Sequence, residues 1–317
     1  MSSLYTPPPS QQILGSFVPG RYVGFPINRY FASRFSYLSE QEWIHLIHVG
    51  KITVNGSPVP PNLILKEHDY IVANLGFRQE PPANRTLQII YEDSNIRIFN
   101  KVAPIPVHPS GRFFKNSMTE ILKDVYPEET PRPVQRLDAV TTGVLVFARN
   151  KETASCLMHE FSNQNVFKEY IAIVEGKPEK KRFTVNTSIG KITNSRWGTG
   201  QKAHHPKPAV TDFEWLDTYK DLSLLKVIPH SGRTNQIRVH LQHCGLPIWN
   251  DPIYGNEKLN SVNYIGLHAY RLRFRCLGIL KDITAPRPEH FEIFSKKGII
   301  FCSISEAIQK HPDLVKK

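Results

Sequence analysis

A polar turn running straight into an unbroken apolar stretch constrains this chain most: Arg136-Leu137-Asp138, then Thr141-Thr142-Gly143, then Val144-Leu145-Val146-Phe147-Ala148. A short continuous apolar run bounded by turn formers reads as a buried strand. Asp138 is thereby carried to a glycine-marked turn at the mouth of that strand, where a rigid scaffold can hold a reactive carboxylate. A second cluster, Gly232 through Leu241, supplies arginines, and a guanidinium beside an aspartate keeps it ionised. Arg238 lies between Ile237 and Val239, so it is expected to be buried and to clamp a carboxylate. The plainer alternatives are a turn cap for Asp138 and a surface position on an amphipathic helix for Arg238.

Charge indicates the kind of partner. Lysine and arginine number 40 against 28 aspartate and glutamate, a net +12, with a sequence pI of about 9.5. Such an excess points to a polyanion, nucleic acid before membrane surface. With 317 residues, 40% of them hydrophobic, the chain can build one large domain and a small one. No apolar run approaches the roughly 18 residues of a membrane span, and the start lacks the basic and apolar regions of a signal peptide. A cytoplasmic setting away from membranes is expected. Cys156, Cys244, Cys276 and Cys302 form no C-x-x-C pair and are expected to be free, buried thiols. His204-His205 and the pair His240 and His243 lack an acid or thiol at matching spacing, so no metal is expected. No glycine-rich phosphate loop occurs, and no cofactor is expected.

Along the chain, residues 1–20 are rich in Pro, Ser and Gln and read as a flexible leader. Residues 21–76 read as a small module. In it, Ser39 caps a helix with Glu42 three positions on, Trp43, Ile44, Leu46 and Ile47 form its apolar face, and Gly50 ends it. Lys51-Ile52-Thr53-Val54 then meets the hairpin signal Asn55-Gly56, with a later strand at Tyr70-Ile71-Val72. Residues 77–84, with Pro81-Pro82, read as a linker. Residues 85–295 form the main domain. Strands are expected at Leu87–Tyr91, Ile96–Phe99, Tyr170–Val174, Val210–Trp215 and Leu222–Ile228, and helices at Thr153–Phe161 and Asn235–Cys244. Ala154, Leu157, Met158 and Phe161 form the apolar face of the first of these helices. Many strands and few helices without βα alternation imply an α+β fold on a mixed, mainly antiparallel sheet flanked by helices. Residues 296–317 read as a C-terminal extension. The stretch Lys191 to Lys207 interleaves Arg196, Lys202 and Lys207 with Trp197, which suits single-stranded RNA or a solvated loop.

Two resemblances rest on these motifs. Gly50 through Gly56, with His68-Asp69-Tyr70-Ile71 downstream, resembles the αL RNA-binding domain. That likeness departs at Ser39-Glu40-Gln41-Glu42, where acids stand in place of arginines, and leaves Lys51, Arg29 and Arg34 as the cations for RNA. Residues 85–295 resemble the RluA-type pseudouridine synthases through five motifs in order. These are Lys101 to His108; Arg136-Leu137-Asp138 with Thr141-Thr142-Gly143; Lys168-Glu169-Tyr170; Arg233 to Leu241 with Gly245-Leu246-Pro247-Ile248 and Asp251; and Leu267 to Leu272. Gln135, Thr142, Asn235 and Trp249-Asn250 depart from the family pattern and bear on subfamily rather than chemistry.

The RluA resemblance implies an RNA pseudouridine synthase, an isomerase that detaches a uracil, turns it and rejoins it through carbon. Asp138 is the implied essential carboxylate, as nucleophile or as proton acceptor. Arg238 partners it. Tyr170 stacks on the flipped base or packs in the core. Arg136, Lys168 and Arg233, with Arg196 and Lys202 of the interleaved basic segment and Lys51 of the αL-like module, are the expected RNA contacts. Ribosomal RNA of the large subunit is the expected partner, tRNA the alternative, and a monomer the expected state. Two other classes compete with this reading. A binding or ribosome-assembly protein would keep the fold without the reaction, and a glycoside hydrolase would need a second carboxylate, which no comparable motif supplies.

Overall fold

The computed structural model describes residues 4–35, 37–193, 196–256 and 263–295. Cys302 and the extension 296–317 lie outside the described residues. The chain begins with β1 (Ser10–Phe17), α1 (Ile27–Arg34), α2 (Glu40–His48), β2 (Ile52–Val54), β3 (Ser57–Pro58) and β4 (Tyr70–Arg78). These strands form a sheet of order β1-β4-β2-β3 over a core that includes Ile27, Tyr30, Phe31, Trp43, Ile52 and Ile71. Helix α2 opens on the full capping box, Ser39 and Glu42 satisfying each other's backbone.

The described part of the expected flexible leader, residues 4–20, is ordered otherwise: Ser10–Phe17 is a strand paired along its length with β4. Its pairing partner lies some 60 residues on, and edge strands need no strong local pattern once a neighbour offers a free row of amides. β4 also runs through Phe77 and Arg78, into the stretch read as linker. Beyond Arg78 the chain is pinned rather than loose. There the buried Glu80 carboxylate accepts the backbone N–H of Phe114, Lys115 and Asn116 at 2.7–2.9 Å.

The main domain contributes β5 (Ile89–Glu92), β6 (Ile96–Lys101), α3 (Met118–Val125), β7 (Arg132–Pro133), β8 (Thr142–Ala148), α4 (Lys151–Ser162), β9 (Phe167–Glu175) and β10 (Arg182–Asn186). A small sheet of β11 (Ile189–Lys191), β12 (Trp197–Gly198) and β13 (His204–Lys207) comes next, so the basic segment is folded rather than a simple loop. Then come β14 (Val210–Tyr219), β15 (Leu222–Pro229), α5 (Gln236–His243), β16 (Leu267–Cys276), β17 (Ile279–Thr284) and α6 (Glu292–Ser295). The central sheet has ten strands in the order β10-β14-β15-β9-β16-β8-β6-β5, with β17 on β16 and β7 on β8. This is the mixed, mainly antiparallel sheet expected. Among the described residues no helix is long and apolar enough to cross a membrane.

Every residue of β8 is buried, as its unbroken apolar run requires at a sheet centre. Its pairing with β16 is the one parallel contact of this sheet among the described residues, with Gly143 beside Ala269. Ala269 in turn faces Tyr170 of β9, and Gly143 faces Lys101 of β6. One row across four strands thus aligns four of the five motifs. Gly143 has φ +115°, and a Cβ there would meet the Ala269 carbonyl oxygen at 2.2 Å. Gly143→Ala is therefore expected to destabilise the protein by about 3 kcal/mol or more, combining backbone strain with loss of the parallel pairing. A denaturant titration checks this, and a variant as stable as wild type would show that β16 can be pushed aside.

On the opposite side of that row, His268 is fully buried with Nδ1 2.8 Å from Thr142 Oγ1, and burial pushes its imidazole down to about 3. The unfolded ring titrates near 6.5, so between pH 6.5 and 3 the unfolded state binds the extra proton and stability falls as pH drops. From pH 8 to pH 5 the loss attributable to this ring is about 2 kcal/mol. Thermal melts of wild type and His268→Gln across that range test it, the variant being expected to lose less.

Periodicity misplaced one side chain. In α4, Ala154 and Leu157 are buried, but Met158 is 56% exposed, because the buried stripe is narrower than the full set of i, i+3 and i+4 positions. Cys276 is buried and Cys156 partly so, whereas Cys244 is exposed, and all three are free.

Candidate active site

Asp138 lies in the short connection between β7 and β8, and neighbouring elements grip that connection by its backbone. Thr141 N–H donates to the Asp138 carbonyl at 3.1 Å, Ile105 N–H to Ala139 at 2.9 Å and Ile265 N–H to Val140 at 3.2 Å. From below, the buried Lys101 amine donates to the carbonyls of Val102, Ala139 and Thr141 at 3.0, 3.1 and 2.7 Å. All three donors of an ammonium are thereby used. Burial pushes that amine down to about 7, against a smaller upward pull from Asp138. Sequence reasoning set Lys101 within a motif but gave it no role of its own. A lysine ending a buried strand is the signal that could have singled it out.

The turn opens into a cleft of about 440 Å³ lined by Asp138, Arg136, Tyr170, Lys168, Arg233 and Arg238, among others. Six of the nine residues read from the sequence as site candidates are thus brought together. Leu137 lines the cleft too, but it is buried and packs in the core. Arg238, on the first turn of α5, donates Nη1–H to Asp138 Oδ2 at 2.9 Å. Its Nε and Nη2 donate to the two carboxylate oxygens of Asp251 at 2.7 and 2.8 Å. Arg238 is 3% exposed and Asp251 1%, so the two-pronged ion pair is dry. Burial works against the Arg238 charge, yet the bonds and charge of Asp251, and then of Asp138, more than offset it and raise its pKa. Arg238 is the buried clamp expected, not a surface residue of an amphipathic helix.

Asp251 corrects a second expectation. An acid does accompany Asp138, but both its oxygens are committed to Arg238, and Oδ1 also accepts the N–H of Ile253 and Tyr254 at 2.9 and 3.0 Å. It cannot flank a sugar as a second catalytic acid would. Tyr254 completes the support: the Arg238 guanidinium lies 5.0 Å from its ring centre, and its hydroxyl accepts from Asn235 Nδ2 at 3.1 Å and Trp197 N–H at 3.0 Å. Asn235 adopts φ +55° just before α5, a conformation asparagine tolerates well. No local pattern announces Asp251 or Tyr254 as partners of a residue 13 or more positions earlier. Only the need of a buried cation for a carboxylate does.

Tyr170 forms the cleft wall at the β9 end. Burial, and then the Asp138 charge, push its phenol well above the usual range, so it stays protonated at neutral pH. Lys168 donates to the Ser231 carbonyl at 3.3 Å and burial lowers its pKa. Arg233 ties to the Pro208 carbonyl at 3.0 Å while lining the cleft. His108 is pushed down by burial and then by the Arg136 charge. Arg196, Lys202 and Lys51 lie outside the cleft lining. Arg196 lies over the Tyr254 ring, 5.5 Å from its centre. His240 is not a metal ligand, since its ring nitrogens meet Thr211 Oγ1 at 2.9 Å and the Thr187 carbonyl at 3.0 Å. Among the described residues no cluster of three metal-binding side chains occurs.

The chemistry available at this cleft is that of one carboxylate, held by a dry guanidinium beside an aromatic wall and under a basic rim. Comparison with known proteins places it. Residues 95–243 match the family described as RNA pseudouridylate synthase. The human pseudouridylate synthase RPUSD2 is 31% identical over 76% of this chain, which spans only 44% of that protein's length. Ribosomal large subunit pseudouridine synthase D of Borreliella burgdorferi is 32% identical over 67% of this chain and 69% of its own. The mitochondrial tRNA pseudouridine(32) synthase of Saccharomyces cerevisiae is 30% identical over 72% and 50%. A solved structure, human RNA pseudouridylate synthase domain containing 1, superposes with a TM-score of 0.60 at 24% identity over 74% of this chain and 98% of its own, a likeness of fold. With the fold, the motif order and these relatives in agreement, this chain belongs to the RluA-type RNA pseudouridine synthase family of isomerases.

Proposed function

We propose that this protein converts specific uridines to pseudouridine in RNA, in large-subunit ribosomal RNA before tRNA, acting as a monomer. The observation that carries the reading is Asp138 at the cleft floor, clamped by an arginine whose other prongs are locked to Asp251. The reaction exchanges the bond from the ribose to uracil nitrogen for one to uracil carbon, and moves a proton from that carbon to the freed nitrogen. No electrons, phosphate or water are consumed, so the chemistry calls for no cofactor. Both routes, attack on the sugar by Asp138 or removal of a sugar proton by it, need an ionised oxygen at a fixed place. Arg238 supplies that constraint. A protonated Tyr170 serves as a stacking wall for the everted uracil rather than as a base. Arg136, Lys168 and Arg233 receive phosphates at the rim, with Arg196, Lys202 and Lys51 further along the RNA.

Ribosomal RNA is preferred because an αL-like module and a net +12 charge suit a large structured RNA, and because one relative carries that substrate in its name. Another relative is named for tRNA, so the test covers both. Pseudouridines are mapped across rRNA and tRNA in cells lacking the gene, then in cells given wild type or Asp138→Ala. The expected result is loss at a ribosomal site restored only by wild type. Persistence of every site would instead favour an RNA-binding or assembly protein without turnover.

A further inference from the structure

We infer that the outer face of the N-terminal sheet is a stacking platform for single-stranded RNA, which extends the proposed substrate site beyond the cleft and rests on that reading. One side of this sheet packs on its core through Ile71, Ala73 and Leu75. An antiparallel sheet with one covered side ordinarily turns polar residues to water on the other. Here the register pairs Phe17 with Tyr70, Gly15 with Val72, Ile13 with Asn74 and Gln11 with Phe77, and beside the polar Gln11 and Asn74 the large side chains of this outward set are apolar and exposed. Phe77 is 75% exposed, Phe17 65%, Ile13 55% and Tyr70 39%. An open apolar face of this kind on an otherwise basic protein marks a binding surface.

Three features favour RNA as the occupant. The exposed set is rich in aromatics, whose flat faces take up any base. The Tyr70 ring crosses Gly15, where a Cβ would meet its hydroxyl at 2.3 Å, and Phe17 meets it edge-on at 4.9 Å between ring centres. Lys51 falls in register on this side, opposite Asn74, and among the described residues of these paired strands no carboxylate does. The Phe77 end leads toward the cleft. Glu80, three residues on, holds the backbone of the loop that carries exposed Arg112 and Lys115, and the same loop begins at His108, which senses Arg136. A strand of RNA lying on the sheet is thereby handed along cations to the rim of the active site.

Binding is read by fluorescence anisotropy with the full chain in an Asp138→Ala background, so turnover does not enter and failure of the enzymatic reading leaves this measurement intact. The probe is a labelled single-stranded oligouridylate of about 12 nucleotides. Phe17→Ala/Phe77→Ala is expected to weaken binding about tenfold or more with little change in salt dependence. Lys51→Ala should make the salt dependence shallower by about one phosphate contact. Phe17→Trp/Phe77→Trp should retain affinity, and its fluorescence should be quenched by the probe. An affinity within twofold of the parent for the double alanine variant, or tryptophans left unquenched at saturation, would overturn the proposal. So would a self-association of the parent that the alanines abolish, since the face would then be an interface between two copies.

Discussion

Asp138→Asn is expected to lower the rate of pseudouridine formation by about 10⁴-fold or more, while the protein melts within a few degrees of wild type. The asparagine keeps the shape and a carbonyl oxygen for Arg238 Nη1, but it can neither attack a sugar carbon nor take a proton from it. Stability is spared because Arg238 is not orphaned: its bidentate pair with Asp251 remains. Single-turnover rates on the RNA identified by mapping, with a melt of the same preparation, give both readouts. Residual activity within a hundredfold of wild type would remove Asp138 from the chemistry.

Asp251→Ala should do the reverse in order of severity. It strips a 3% exposed guanidinium of the carboxylate that takes two of its donors, and breaking a buried pair on one side costs about 3–5 kcal/mol. For a chain of this size that corresponds to a fall in melting temperature of roughly 10 °C. The freed arginine then turns wholly to Asp138 or leaves it, so the rate falls as well. An Asp251→Asn variant, which can still accept from one prong, should lie between. A melting temperature unchanged in Asp251→Ala would mean that Asp138 alone satisfies the cation, contrary to the geometry. The pair of variants separates the roles proposed for the two carboxylates, reaction for Asp138 and positioning for Asp251.

Several features of this protein are visible in short stretches of its chain. The capping box at Ser39 and Glu42, the buried run after Gly143 and the apolar flanks of Arg238 each rest on neighbours a few residues apart. Local propensity and periodicity report those directly. Met158 shows where periodicity blurs: the i, i+4 rule includes it on the buried face of α4, yet the width of that face is set by the elements packed against it. The strand Ser10–Phe17 escaped local reading for a related reason. Its polar, proline-flanked sequence has weak preference of its own, and it is a strand because β4 leaves an edge to pair.

Local chemistry along the chain was enough to place a carboxylate at the mouth of a buried strand, to demand burial of Arg238, and to anticipate a basic RNA-facing protein with an α+β fold. The meeting of Asp138 with a residue 100 positions away, the parallel seam at Gly143 and Ala269, and the use of Asp251 as the arginine's anchor were decided only by the folded sheet. Local preferences act over a turn or two of chain. Which distant strands become neighbours depends on how the whole set of apolar faces is buried at once, and a dry ion pair exists only where that packing has already excluded water.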